Sequence, residues 1–262
     1  MSATPPPQPP PTPEAELLAT ISQRLQALGD AAALLALGPE RVFTFAEADT
    51  LVRLHLPFAP RDDIQRNILR SGTFYEHRLL AEIRPMIAPG AVVVDAGANI
   101  GNHSVYFALI CGAAAVHAIE PMRVTSDILR RNIALNGLEP RVIVHQMALG
   151  AAEGTAELRH FFRGNLGAAS VDPAQPGVYR VAPLDSLGLD RVDFVKMDVE
   201  GGFVAAIEGA AETLRRCRPP VWIELRARAG EIEPGTAALE RLGYARTRAI
   251  GGSPNDHLFE AS

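Results

Sequence analysis

The apolar positions of this chain change period along its length. Residues 14–37 repeat at helical spacing, with Leu17, Leu18, Ile21, Leu25 and Leu28 on one stripe, and Gly38-Pro39 closes the element. Two short runs follow within 41–57, around VFTF and LVRLHL, and read as strands. Helical spacing returns from Asp62 to Ile87, broken near Ser71-Gly72. From residue 91 onward strand and helix patterns alternate. The strands are AVVVDA (91–96), AVHAIE (115–120), RVIVHQMA (141–148), VDFVKMD (192–198) and VWIEL (221–225). Helices are expected near 102–111, 123–136, 203–216 and 236–242, and ARTRAI with HLFEA predicts a final antiparallel pair. This order predicts an α/β fold: a mostly parallel sheet with helices on both faces, preceded by an N-terminal α+β extension. Its crevice should open at the C-terminal ends of the strands.

Four segments follow from the same pattern. Residues 1–13 are a proline-rich tail expected to be disordered or polyproline, residues 14–90 form the extension, and residues 91–262 form the main domain. The connection 149–191 is far longer than a strand-to-strand link needs, so it is expected to be a hairpin or cap that shapes a substrate pocket.

Composition narrows the function classes. The chain is 47% hydrophobic and 21% charged, ordinary for a soluble protein with one sizeable core. Its net charge of −5 supplies no basic field for nucleic acid or an anionic membrane. No stretch reads as a membrane span or a secretory signal. Cys111 and Cys217 lack metal-ligand spacing and read as reduced packing residues of a cytoplasmic protein.

The most informative string is VVVDAGANIG, residues 92–101. A buried strand ends in an acid, and a tight turn through Gly97, Ala98, Asn99 and Gly101 leads into a helix starting near Asn102. Dinucleotide sites want G-x-G-x-x-G with a pyrophosphate on the helix N-terminus. Here the middle glycine is missing, and Asp95 would repel a pyrophosphate while favouring a sulfonium ligand with an amino-acid tail. The D-x-G-x-N-x-G spacing is a variant of the loop of S-adenosylmethionine-dependent methyltransferases. Glu120, ending the next strand before Pro121, can accept hydrogen bonds from ribose hydroxyls, a device that NAD enzymes share.

With these strings in view, residues 70–226 resemble the FkbM family of methyltransferases. The resemblance rests on FYE (74–76), DAGANIG, AIEP, RRNIALNGL, ALG with Gly154, RGNLGAAS, PLDSL, DFVKMDVEG and WIEL. It implies a Rossmann-like class I methyltransferase fold and O-methylation, with S-adenosylmethionine as donor and a hydroxyl of a polyketide, sugar or glycan as acceptor. Asp95, Gly97, Ala98, Asn99, Gly101, Asn102, Glu120, Pro121, Met147 and Ala148 are the expected cofactor-binding positions. One position departs: where the family carries an acid three residues beyond the glutamate of DVEG, this chain has Phe203.

Lys196 is the only lysine in the chain. Strand alternation puts it on the same face as Asp198, and the pair would hold the acid ionised. Asp198 or Glu200 could take the acceptor's proton, with Lys196 polarising the oxygen and His103 as a further candidate. A second version places Mg²⁺ between Asp198 and Glu200. Asn165 is expected near the substrate mouth, and Asp185 caps the turn at Ser186. The competing classes are an NAD-dependent oxidoreductase and an inactive binding module, the latter suggested by Phe203 and the proline tail. A nucleic-acid methyltransferase is disfavoured by the charge and by the lack of an N-P-P-Y-like string.

Overall fold

The computed structural model describes residues 12–162, 165–172, 177–199 and 201–262, with the backbone alone for 158–172. Residues 1–11 and Glu200 lie outside the described residues. Helix α1 (Pro13–Ala36) starts on a proline whose missing N–H costs nothing at that position, with Thr12 capping it. The helix therefore begins inside the segment read as tail. Strands β1 (Val42–Glu47) and β2 (Thr50–His55) form an antiparallel hairpin. Helix α2 (Asp63–Ser71) begins at Asp62, whose side chain accepts from Gln65 N, and ends at Gly72 in the left-handed conformation. Helix α3 (His77–Ile83) follows.

The main sheet contains β3 (Val92–Ala96), β4 (Ala115–Ile119), β5 (Val142–His145), β10 (Phe194–Met197), β11 (Val221–Glu224), β12 (Tyr244–Ala249) and β13 (Asp256–Ala261). Its order is β12-β13-β11-β10-β3-β4-β5, with β13 alone running against the others and pairing antiparallel with both β11 and β12. Helices α4 (Asn102–Leu109), α5 (Arg123–Leu135), α6 (Phe203–Glu208), α7 (Ala211–Cys217) and α8 (Ile232–Glu240) complete the domain. The sheet divides the core. One cluster joins Val93, Phe194 and Trp222 to the extension, including Leu54, Ile68, Phe74 and Leu80. The other gathers Val94, Val195, Met197, Ile207 and Leu239 on the opposite face. The extension therefore shares its core with one face of the sheet.

Three expected elements differ. The run 141–148 is not one strand: β5 stops at His145, and β6 (Ala148–Leu149) leaves the main sheet to pair with β9 (Tyr179–Ala182). The single helix expected over 203–216 is α6 and α7. Asp185 accounts for the second start, because its carboxylate accepts from Glu212 N at 3.0 Å and Thr213 N at 2.8 Å. That corrects the expected cap at Ser186. The last helix starts at Ile232, ahead of the expected 236. Within 149–191, β7 (Gly154–Phe162) pairs antiparallel with both β8 (Asn165–Asp172) and β9, so the connection is a small sheet ordered β6-β9-β7-β8.

His117 on β4 and His145 on β5 stack, with Nδ1 and Nε2 3.0 Å apart. Burial and the neighbouring His145 push His117 down to about 4, and burial also lowers His145. Both are neutral in the native state, whereas unfolded histidine takes a proton near pH 6.5. The pair's stability contribution is complete above that value and is lost as the pH falls toward about 4. The melting temperature should decline over this window, and His117→Phe should flatten the decline. An unchanged slope in the variant refutes the assignment.

Candidate active site

The chain order runs β3, β4, β5 to one side and β10, β11 to the other, so the switch point lies between β3 and β10. That crevice is where an open α/β sheet binds ligands. Asp95 and Lys196 are register partners across it, with Trp222 beside Lys196 on β11. All three are buried. Lys196 Nζ donates to Gly97 O at 3.1 Å and to Asp198 Oδ2 at 3.4 Å, and lies 3.6 Å from Asp95 Oδ1. Burial opposes its charge, but Asp198 and Asp95 outweigh burial and hold the ammonium above its ordinary range. Asp95 is fully buried and its other oxygen accepts from Ser104 Oγ at 2.6 Å. Its contacts are thus protein groups beneath the loop.

The row beyond consists of carboxylates. Asp198 follows β10, Glu224 ends β11, and Asp256, the register partner of Glu224, opens β13. Asp256 accepts from Trp222 Nε1 at 2.7 Å. Burial would raise the Asp198 carboxyl, but the Lys196 ammonium and a hydrogen bond with Glu224 hold it below the usual range. Tyr75 comes from the extension. Burial, with Glu76, Asp198, Glu224 and Asp256 around it, pushes its phenol far up, so it remains an O–H donor.

Asn102 explains how the extension reaches this point. Its Oδ1 accepts from Tyr75 N at 3.0 Å and its Nδ2 donates to Tyr75 O at 3.1 Å. The side chain at this position, where a cofactor contact is expected, clamps Tyr75. Glu76 then adopts a left-handed backbone, φ 58°, uncommon for a residue other than glycine or asparagine. Its Oε2 lies 3.3 Å from His103 Nε2, and the His103 ring packs against Trp222 and Phe107.

The glycine loop is shaped first by chain packing. A Cβ on Gly97 (φ 77°) would sit 1.9 Å from Asp198 O, so only glycine lets the ends of β3 and β10 approach. A Cβ on Gly101 would meet Leu129 Cδ1 of α5 at 2.4 Å. Ala98 is buried, and its N–H and that of Gly97 donate to Ile119 O at 3.0 Å. Asn99 N donates to Glu120 Oε2 at 2.9 Å. Glu120 Oε1 accepts from Met122 N at 2.9 Å and Thr125 Oγ1 at 2.7 Å. Burial raises the Glu120 carboxyl against these three donors. Pro121 follows it, half-buried. Met147 packs in the second core cluster and Ala148 beside Ala156 and Val181. Phe203 fills the same second cluster, which gives the position a packing role where the family carries an acid. Asn165 opens β8 and only its backbone is described.

The Methyltransferase FkbM domain pattern matches residues 95–246. This chain belongs to the FkbM methyltransferase family. The FkbM chain is therefore a methyltransferase with S-adenosylmethionine as donor, and its strand order is that of the Rossmann-like class I methyltransferase fold. The oxidoreductase reading falls with this result. A curated relative, methyltransferase sdnD of Sordaria araneosa, is 30% identical over 192 residues, 60% of this chain and 74% of the relative. The solved FkbM methyltransferase of Methylobacillus flagellatus KT is 20% identical with a TM-score of 0.49. That alignment covers 65% of this chain but only 43% of the solved one, so this chain spans less than half its length. TYW2 of M. jannaschii, solved in complex with AdoMet, is 19% identical with a TM-score of 0.42, covering 86% and 89% of the two chains.

Tyr75, Glu76, Glu224 and Asp256 are the site residues that sequence reasoning did not single out. FYE and WIEL stood among the resembling strings and carried a signal for three of them. Asp256 had none, because its place depends on the antiparallel register of β13.

The residues present fit the donor. Asn99 Oδ1 is buried at the loop without a hydrogen-bond partner, and Glu120 Oε2 accepts a single bond in this structure. Both acceptors can serve the amino or hydroxyl donors of such a cofactor.

Proposed function

We propose that this FkbM methyltransferase methylates a hydroxyl of a neutral, hydroxyl-rich acceptor, a sugar, glycan or polyketide-like small molecule. The observation that carries this reading is the row Asp198, Glu224 and Asp256 at the strand ends, faced by Tyr75. Carboxyl groups hydrogen-bond neutral hydroxyls, and the ionised Asp198 repels phosphorylated or carboxylated acceptors. They would also bind an amine, but as ammonium, which has no lone pair to receive a methyl group. A cleft of about 450 Å³ adjoins the row, sharing Glu76 and Asp256 and lined further by Ser71, Thr73, His77 and Ser253. Its lining mixes these polar groups with Arg78, Phe74 and Leu79, and its volume suits a sugar-sized ligand. We assign the pocket to the extension and the β12–β13 loop, which line this cleft; among the described residues, the connection 149–191, expected to shape it, supplies none of the lining.

S-adenosylmethionine, when bound, supplies the electrophilic methyl group. Asn99 of the glycine loop and Glu120 after β4 would hold it. Asp198, ionised beside Lys196, takes the acceptor proton as the new bond forms. Lys196 keeps that carboxylate charged and fixes the loop through Gly97 O. His103 and Tyr75 bound the acceptor side. Mg²⁺ between Asp198 and Glu200 would require a residue outside the described region. Among the described residues no helix is long and apolar enough to cross a membrane. The free thiols Cys111 and Cys217 suit a reducing cytoplasm.

The test is transfer of a labelled methyl group to a panel of neutral sugars and polyols, their phosphorylated or carboxylated counterparts, simple amines and RNA. Label should appear on neutral hydroxyl acceptors. Label confined to amines, anionic acceptors or RNA overturns the reading, as does donor binding by calorimetry without transfer to any class.

A further inference from the structure

We infer that the apolar stripe of α1 pairs with the same stripe of a second copy of this chain. Among the described residues the stripe stays exposed. Leu17, Leu18, Ile21, Leu25, Leu28 and Leu35 are between 45% and 82% exposed, and no residue of α1 is buried. Only the last part of the helix is docked: Leu34 packs against the core, Asp30 pairs with Arg70 at 3.1 Å, and Arg41 donates to Leu34 O at 2.6 Å. The preceding turns project from the domain. A helix in that position draws little stability from its own chain, since most helical stability comes from packing an amphipathic face.

The spacing describes the partner. Leu18, Ile21, Leu25, Leu28, Ala32 and Leu35 alternate steps of three and four residues, the repeat of a knobs-into-holes seam. A seam of this kind is filled by another helix with the same repeat, and α1 of a second copy has it by construction. The flanking positions are Ser22, Arg24, Gly29 and Ala31. Seams that select a different partner use charges there. With Arg24 alone charged, little repels a second copy and little specifies a foreign one. The area also fits. The six exposed side chains offer several hundred Å² of apolar surface, the order of the ~800 Å² that each partner gives to a stable interface. A bilayer surface is a poor occupant, because the polar positions Glu14, Glu16 and Asp30 outnumber Arg24, where interfacial helices carry Lys and Arg.

Sedimentation velocity on the full chain, from low micromolar to about 100 µM, tests the pairing. The wild type should sediment as a dimer. Leu25→Asp should weaken the dimer roughly tenfold or more. Leu25→Ala/Leu28→Ala should do the same while keeping α1 helical by circular dichroism, which separates loss of the seam from loss of the helix. Gln23→Glu, opposite the seam, should leave the dimer intact. A wild type that stays monomeric throughout the range overturns the inference. So does a dimer that persists in both seam variants, or a monomer that floats with zwitterionic vesicles.

Discussion

Replacing Lys196 with methionine should lower stability by about 3 kcal/mol or more, a fall of roughly 10 °C in melting temperature for a chain this long. The reason is the company it keeps. Lys196 and Asp95 are both buried, 3.6 Å apart on adjacent parallel strands. Removing the ammonium leaves a buried carboxylate with only Ser104 to stabilise it, and leaves Gly97 O without its donor. The cost comes from the stranded partner, so the double variant Asp95→Asn/Lys196→Met should recover part of it. Arginine should not rescue, because its planar fork does not fit a site built around a compact ammonium with three acceptors. Activity should also acquire a new acidic limb. Without Lys196, burial pushes the Asp198 carboxyl upward, so protonation switches off the proton acceptor at a higher pH than in the wild type. Thermal melts of the single and double variants, and a pH–rate profile, check this. Wild-type stability in Lys196→Met would show that the pair is not what holds β3 and β10 together at this end.

Asp198→Asn should keep the fold and donor binding while lowering kcat by about 100-fold or more. The Asp198 side chain is 38% exposed, so exchanging it for a neutral isostere creates no buried cavity. Its backbone N–H still continues the sheet by donating to Ala96 O at 3.0 Å. What disappears is the ionised oxygen that, in the proposed mechanism, receives the acceptor's proton. Calorimetry with S-adenosylmethionine should give an affinity within a few-fold of wild type while turnover collapses. Full turnover in Asp198→Asn refutes the general-base role and shifts attention to the His103–Glu76 pair, 3.3 Å apart on the other wall.

Much of the architecture was readable along the chain because it rests on local patterning. The β-branched run at 92–94, the short mostly apolar run at 194–197, the turn at Gly97 and the alternation of strand and helix specify a parallel sheet without any knowledge of distant contacts. The readings failed where a distant group intervened. Residues 141–148 look like one strand until Ala148 is captured by Val181 of β9, and 203–216 looks like one helix until Asp185 caps its second half. The loop shows the same limit. Its spacing alone does not record that Gly97 and Gly101 also make room for Asp198 O and Leu129. Nor does it record that both side-chain polar atoms of Asn102 go to Tyr75.

The sequence by itself determined the family, the donor and the strand ends that flank the crevice, because strings such as DAGANIG and KMDVEG are contiguous and their spacing carries the chemistry. Tertiary structure alone decided which groups gather at the strand ends beside the crevice. Tyr75 and Glu76 arrive from an extension clamped by Asn102, and Asp256 arrives through the reversed direction of β13. Those groups lie far apart in sequence and meet only after the sheet has closed its register and the extension has packed on one face. No local periodicity records such an encounter, because it is fixed by long-range burial and pairing.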